Sequence, residues 1–205
     1  MDAIVQGINL VLAIAGCVVL LTRAVPHAGA RQVAALVVYA AGLLAMAACS
    51  ALYGQGRGGP RHELYRRLDK AAIFLMIGGT YTPFILNDCS QANSLRFLVV
   101  IWTIALLGLL IVLVAPHRLE RLSIPLYLLL GWSILSDPGL LASLPLQVTA
   151  LLVAGGLFYT VGILFCRSRM PFQEAIWHGF VLAGAVCHYA AIAAISHRLP
   201  VASGN

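Results

Sequence analysis

"SALYGQGRGGPRHELYRRLDKAAIFLMIGGTYTPF", residues 50–84, joins the densest run of positive charge in the chain to an unbroken apolar run. One acid, Asp69, stands where the two meet. A basic loop feeding an apolar helix is the pattern of a membrane border, where Lys and Arg collect beside a span. The carboxylate is the anomaly, because an ionisable group at a span is costly and by default marks a functional position.

The rest of the 205 residues has the same character, with 61% hydrophobic and only 10% charged residues. A soluble domain of this length needs far more charge to cover its surface. Cut at polar and Pro/Gly clusters, the apolar runs form seven segments, 4–22, 33–53, 71–86, 97–115, 122–136, 148–166 and 175–195. Most approach the roughly 20 residues that a helix needs to cross the hydrocarbon core. The third and fifth are short, and lengthen only by taking in Asp69 and Leu119. No period-two alternation points to a β-barrel. The first segment lacks the basic leader of a cleavable signal. The expectation is an all-α polytopic membrane protein, a seven-transmembrane-helix bundle formed as a single domain over residues 1–205, without linker or repeat.

Charge orients the bundle. Arg57, Arg61, Arg66, Arg67, Lys70, Arg118, Arg121, Arg167 and Arg169 fall on one side, against Arg23, Arg31, Arg96 and Arg198 on the other. The richer side is expected in the cytoplasm, together with the N-terminus, in a bacterial-type inner (plasma) membrane. The net charge of +6 is thereby explained by topology, with lipid headgroups rather than nucleic acid as its partners. Five cysteines without CxxC spacing, of which only Cys89 falls in an outer loop, indicate neither a disulfide framework nor a zinc cluster. Ala41, Ala45 and Cys49, together with Gly155 and Gly156, are expected to let helix backbones approach closely.

Few polar residues remain near the membrane. Thr80 shares the helical face of Asp69. Glu174 and His178, one turn apart, begin the last span, and Ser50 ends the second. His188 lies roughly 15 Å deeper than His178 at 1.5 Å per residue, where a structural hydrogen bond across the bundle is expected. His62, in a Gly-rich loop, reads as a solvated histidine. Trp102, Trp132 and Trp177 read as interface or packing aromatics.

"LDKAAIFLMIGGTYTPF", "GGLFYTVGILF" and "EAIWHGFVLAGAVCHYAAI" resemble the hemolysin III branch of the progestin and adipoQ receptor family, over about residues 50–195. The resemblance implies seven helices, a cytoplasmic N-terminus and a zinc site. In that site a serine and a histidine end the second helix, an aspartate begins the third and HxxxH begins the seventh. It also implies links to lipid-amide hydrolysis, receptor behaviour and haemolysis. Ser50 and Asp69 match, and His188 matches a further family histidine. The histidine expected four residues after Ser50 is Gly54, the residue after Asp69 is Lys70, and HxxxH reads "EAIWH", with Glu174 ahead of His178.

Two arrangements are open at this level. Zinc takes imidazole or carboxylate ligands, so His178, Glu174 and Asp69 are candidates; the alternative is a metal-free polar cluster in which Lys70 or Arg66 neutralises the acids. Two functions follow. One is a non-catalytic or weakly active lipid-sensing, membrane-homeostasis protein. The other is a metal-dependent intramembrane hydrolase of lipid amides or esters, with Asp69 handling the proton and Ser50 as its hydrogen-bond partner. The expectation is less than one zinc per chain and little amidase activity. A retinal protein is excluded by the lack of a lysine in the last span, and matched helix breaks expected of a transporter are missing.

Overall fold

In lipid a backbone must satisfy its own hydrogen bonds, so long apolar runs are driven into helices. The computed structural model describes residues 2–56, 58–87, 92–114, 122–166, 170 and 172–196. Among them no strand occurs, and eight α-helices follow one another. These are α1 (Asp2–Ala24), α2 (Ala30–Gln55), α3 (His62–Asn87), α4 (Ala92–Val114), α5 (Ser123–Trp132), α6 (Pro138–Ser143), α7 (Leu146–Cys166) and α8 (Gln173–Ser196). Five of them, α1, α2, α4, α7 and α8, are long and apolar enough to cross a membrane. With its 3₁₀ extension, α5 makes a shorter apolar helix, Ser123–Ser136. The two segments that looked short in the sequence, α3 and α5, both fall outside that set of five.

Outward faces are apolar as well as the inner ones. Val11 of α1 is 66% exposed and Val99 of α4 is 65% exposed, an arrangement suited to lipid rather than water. The core sits around α3, which touches α2, α4, α5 and α8. One buried cluster joins α1, α2, α7 and α8 to α3 through Tyr39, Leu36, Met76 and Ile192. The other joins α3 to α4, α5 and α6 through Phe74, Ile85, Ile101 and Leu130.

With no hydrophobic drive between helices in lipid, close backbone approach does the packing. A Cβ on Gly42 would lie 2.9 Å from the Leu75 carbonyl, and one on Gly79 would lie 3.2 Å from the Val38 carbonyl. These reciprocal contacts seat α2 on α3. The expected stripe of Ala41, Ala45 and Cys49 is not this contact, since Ala41 is exposed and the other two are half-buried. Gly155 and Gly156 do open close approaches, to His188 and Trp132.

Tyr81 fastens α3 to the end of α5. Its hydroxyl accepts from the Ile134 amide at 2.9 Å and lies 2.9 Å from the Leu130 carbonyl, which it meets as donor. The indoles are packing groups too: Trp102 donates to Thr82 at 3.1 Å and Trp132 to Thr160 at 3.0 Å. The short α6 lay outside the sequence expectation. Asp137 caps it by accepting from the Leu140 amide at 3.0 Å, with Pro138 at its first position.

The quoted stretch is helical from His62 onward, earlier than its apolar run suggests. Asp69 therefore lies about two turns inside α3. His62 does not sit in a loop: it opens α3 and packs on Tyr53, ring centroids 5.3 Å apart. Arg57, Arg118, Arg121, Arg167, Arg169, Arg198 and Cys89, on which the expected orientation and outer loop rested, lie outside the described residues.

Candidate functional site

The N-terminal ends of α1, α3 and α8 meet the C-terminal end of α2, as antiparallel neighbours require. Ser50 stands a turn before the end of α2, buried at 9% exposure. It donates a hydrogen bond to the Asp69 carboxylate, and the Lys70 ammonium acts favourably on the same charge. His178 is one turn into α8 and buried. Ser50, Asp69 and His178 line a single cavity of about 420 Å³. Glu174, in the first turn of α8, is half-buried and is not part of the wall.

The chamber is mostly apolar, walled by α1 through Ala13 and Gly16, by α2 through Met46, and by α8 through Trp177 and Ala185. Leu12, Val19 and Val186 line it while being 50%, 43% and 55% exposed. Its mouth therefore opens sideways between α1 and α8. Tyr189 spans that seam deeper in the bundle, donating to the Gly16 carbonyl at 3.0 Å.

Other expected members lie elsewhere. Arg66 is ion-paired with Glu63 at 2.8 Å, one turn back on its own helix. Thr80 donates back to the Met76 carbonyl at 2.8 Å and lines a second, smaller cavity of about 120 Å³. His188 lines that same cavity, with Nε2 3.4 Å from the Leu152 carbonyl and its ring 5.5 Å from Tyr159. This is the structural contact expected of it. Met46, Ile73, Trp177 and Val181 line both cavities and form the partition between them.

Two residues at the site were missed by sequence reasoning. Gln6, fully buried in α1, has its Nε2 2.8 Å from His178 Nε2. Asn9, one turn on, lines the chamber, and its Oδ1 has no hydrogen-bond partner among the described residues. The signal was present: they are the two amides within the otherwise apolar run "IVQGINLVLAIAG", and polar groups in a span rarely lack a task.

Gln6 also explains Gly54. A Cβ at position 54 would collide with the Gln6 carboxamide. The implied zinc site does not fit these donors. Gly54 offers none, Gln6 fills the space beside it, and His178 Nε2 is engaged with an amide. Among the described residues no three His, Cys, Asp or Glu side chains gather at metal-binding geometry.

Comparison with known proteins agrees with the architecture. The model of the family described as "Haemolysin-III related" matches residues 4–189. Hemolysin-3 of Bacillus cereus is 33% identical over 98% of this chain and 92% of its own length. The Hemolysin-3 homolog of Bacillus subtilis (strain 168) is 30% identical over 98% of this chain and 96% of its own. The human monocyte to macrophage differentiation factor is 30% identical over 66% of this chain and 57% of its own length. No solved structure matches the chain. With a family match along nearly its whole length and several long apolar helices, the chain is a multi-pass protein of the bacterial inner-membrane type. It belongs to the haemolysin-III-related family, the hemolysin III branch of the progestin and adipoQ receptors.

Proposed function

We propose that this protein is a lipid-binding membrane protein without hydrolytic turnover, which senses or buffers a bilayer component through the side chamber. In this reading the chain is one bundle over residues 1–205, with α3 and the Ser123–Ser136 helix completing seven spans. The N-terminus and the Ser50–Asp69–His178 end face the cytoplasm. The observation that carries the reading is the chamber itself: an apolar pocket of about 420 Å³, open toward lipid, with a small polar group at one end. Pockets that hold amphiphiles combine these two features, apolar walls for the chain and a few placed polar groups for the head. The polar end holds Ser50, Asp69 and His178, while the described residues around it offer no complete ligand set for zinc.

A second reading is favoured by one specific observation. Asp69 keeps its hydrogen bond from Ser50 inside the chamber, the pairing expected of an intramembrane lipid amide or ester hydrolase. Purified protein separates the two. Lipid extracted from the detergent-solubilised protein is expected at about one molecule per chain, and Ala185→Phe, which fills the chamber, should cut it by at least half. Turnover of a fluorogenic lipid amide, with or without added zinc, should stay at background. Full lipid retention by the filled variant refutes the chamber as the binding site, and Asp69-dependent turnover establishes the hydrolase.

A further inference from the structure

The strongest unassigned feature is the polar contact between the first helix and the last. Gln6 and His178 are 172 residues apart in sequence, both are buried, and their side-chain nitrogens are 2.8 Å apart. An amide nitrogen only donates, so with this amide orientation His178 Nε2 accepts and the ring proton sits on Nδ1. In the flipped orientation Nε2 donates to the carboxamide oxygen instead. Either way the lone pair that a metal would need at Nε2 is already engaged. The third partner is Gly54 of α2, whose missing side chain is the space into which the Gln6 carboxamide fits.

We propose that Gln6 stands in for a metal ion in this chain. Its carboxamide joins α1 to α8 across the gap at Gly54 in α2, so that this end of the bundle is held by an amide–imidazole hydrogen bond and is independent of zinc. A metal cross-links helices by gathering donors from each. Here one α1 side chain does so by contact with both neighbours. Residues 54 and 6 then act as one device: a glycine that vacates the space and an amide that fills it. The proposal rests on these contacts alone, and stands whether or not the chamber binds lipid.

The test is metal uptake and thermal stability of full-length protein in detergent. Wild type should carry well under one zinc per chain, and its Tm should be unmoved by EDTA or by added zinc. Gly54→His with Glu174→His should take up little zinc, because the Gln6 carboxamide, though pushed aside by the new side chain, still crowds the space around His178. Adding Gln6→Ala to that pair should raise zinc occupancy at least tenfold at micromolar zinc and make Tm rise with the metal. Stoichiometric zinc in wild type, lost in His178→Ala, overturns the proposal. So does zinc uptake by the double variant equal to that of the triple, or a folded triple variant that takes up none. Should the triple variant not fold, Gln6→Ala and Gln6→Glu alone decide. The first should lower Tm in EDTA and the second, which can still bond to the imidazole, should recover most of it. A Gln6→Ala protein as stable as wild type overturns the proposal.

Discussion

Gly54→Ala should destabilise this protein although alanine is the better helix former. Residue 54 lies in the last turn of α2, where replacing glycine by alanine would ordinarily gain up to about 1 kcal/mol. The new methyl cannot coexist with the Gln6 carboxamide, and the helix backbone is less able to yield than the side chain. Gln6 must withdraw, and its hydrogen bond to His178 is lost with both groups still buried. Leaving such groups unsatisfied costs about 1–3 kcal/mol, which matches or exceeds the helical gain. At roughly 2–4 °C per kcal/mol for a chain of this size, a net loss of up to about 2 kcal/mol lowers Tm by a few degrees. The sign is the sharper readout. In a Gln6→Ala background the obstacle is gone, and Gly54→Ala should be neutral or stabilising. A double-mutant cycle in one detergent, followed by thermal unfolding, measures this coupling. The same destabilisation in both backgrounds would falsify the argument, since residue 54 would then be acting without Gln6.

The α2–α3 seam provides a second expectation: Gly42→Val, pressing its side chain against the Leu75 carbonyl, should cost about 1–3 kcal/mol, read as a lower midpoint of thermal unfolding. Tyr81→Phe leaves the Ile134 amide without the hydroxyl it donates to, and should cost about 1–3 kcal/mol with increased proteolysis between α5 and α6. Gly155→Ala brings a Cβ within 2.5 Å of the His188 ring; it should displace that ring and reduce stability, while leaving lipid retention in the side chamber intact. Equal loss of lipid in that variant would contradict the partition between the two cavities.

Much of the fold was legible because membrane helices announce themselves by length and apolar composition, the same quantities that the bilayer selects. The apolar runs that became α1, α2, α4, α7 and α8 needed little more than extension at their ends. What failed was local. Hydropathy marks where a helix is greasy rather than where it starts, so the charged turns from His62 to Lys70 looked like loop. The Asp-Pro pair at 137–138, a start signal for a short helix, lay hidden between apolar runs. At the site, Ser50, Asp69 and His178 were found through their match to a family pattern, and the structure brings all three to one chamber. Gln6 was not found, because the pattern has no place for it. A substituted site is filled by whichever neighbour can reach the gap, and sequence position does not say which neighbour that is. Thr80 shows the opposite error: it shares a helical face with Asp69, but three turns separate the two and they open onto different cavities.

The central helix also bears on how the chain enters the bilayer. α3 is outside the set of helices apolar enough to cross alone, and its first turns carry Glu63, Arg66, Arg67, Asp69 and Lys70. Arg66 and Arg67 pair with Glu63 within α3 itself, but two further partners come only with folding: the Leu113 carbonyl of α4 for Arg67 at 2.9 Å, and Ser50 of α2 for Asp69. A nascent α3 leaving the translocon on its own would meet lipid before those partners were in reach. The glycine-to-backbone seam with α2 offers the remedy, since two helices that fit together can partition as a hairpin. Residues 30–87 therefore form the natural unit of insertion, the two helices entering together as one hairpin.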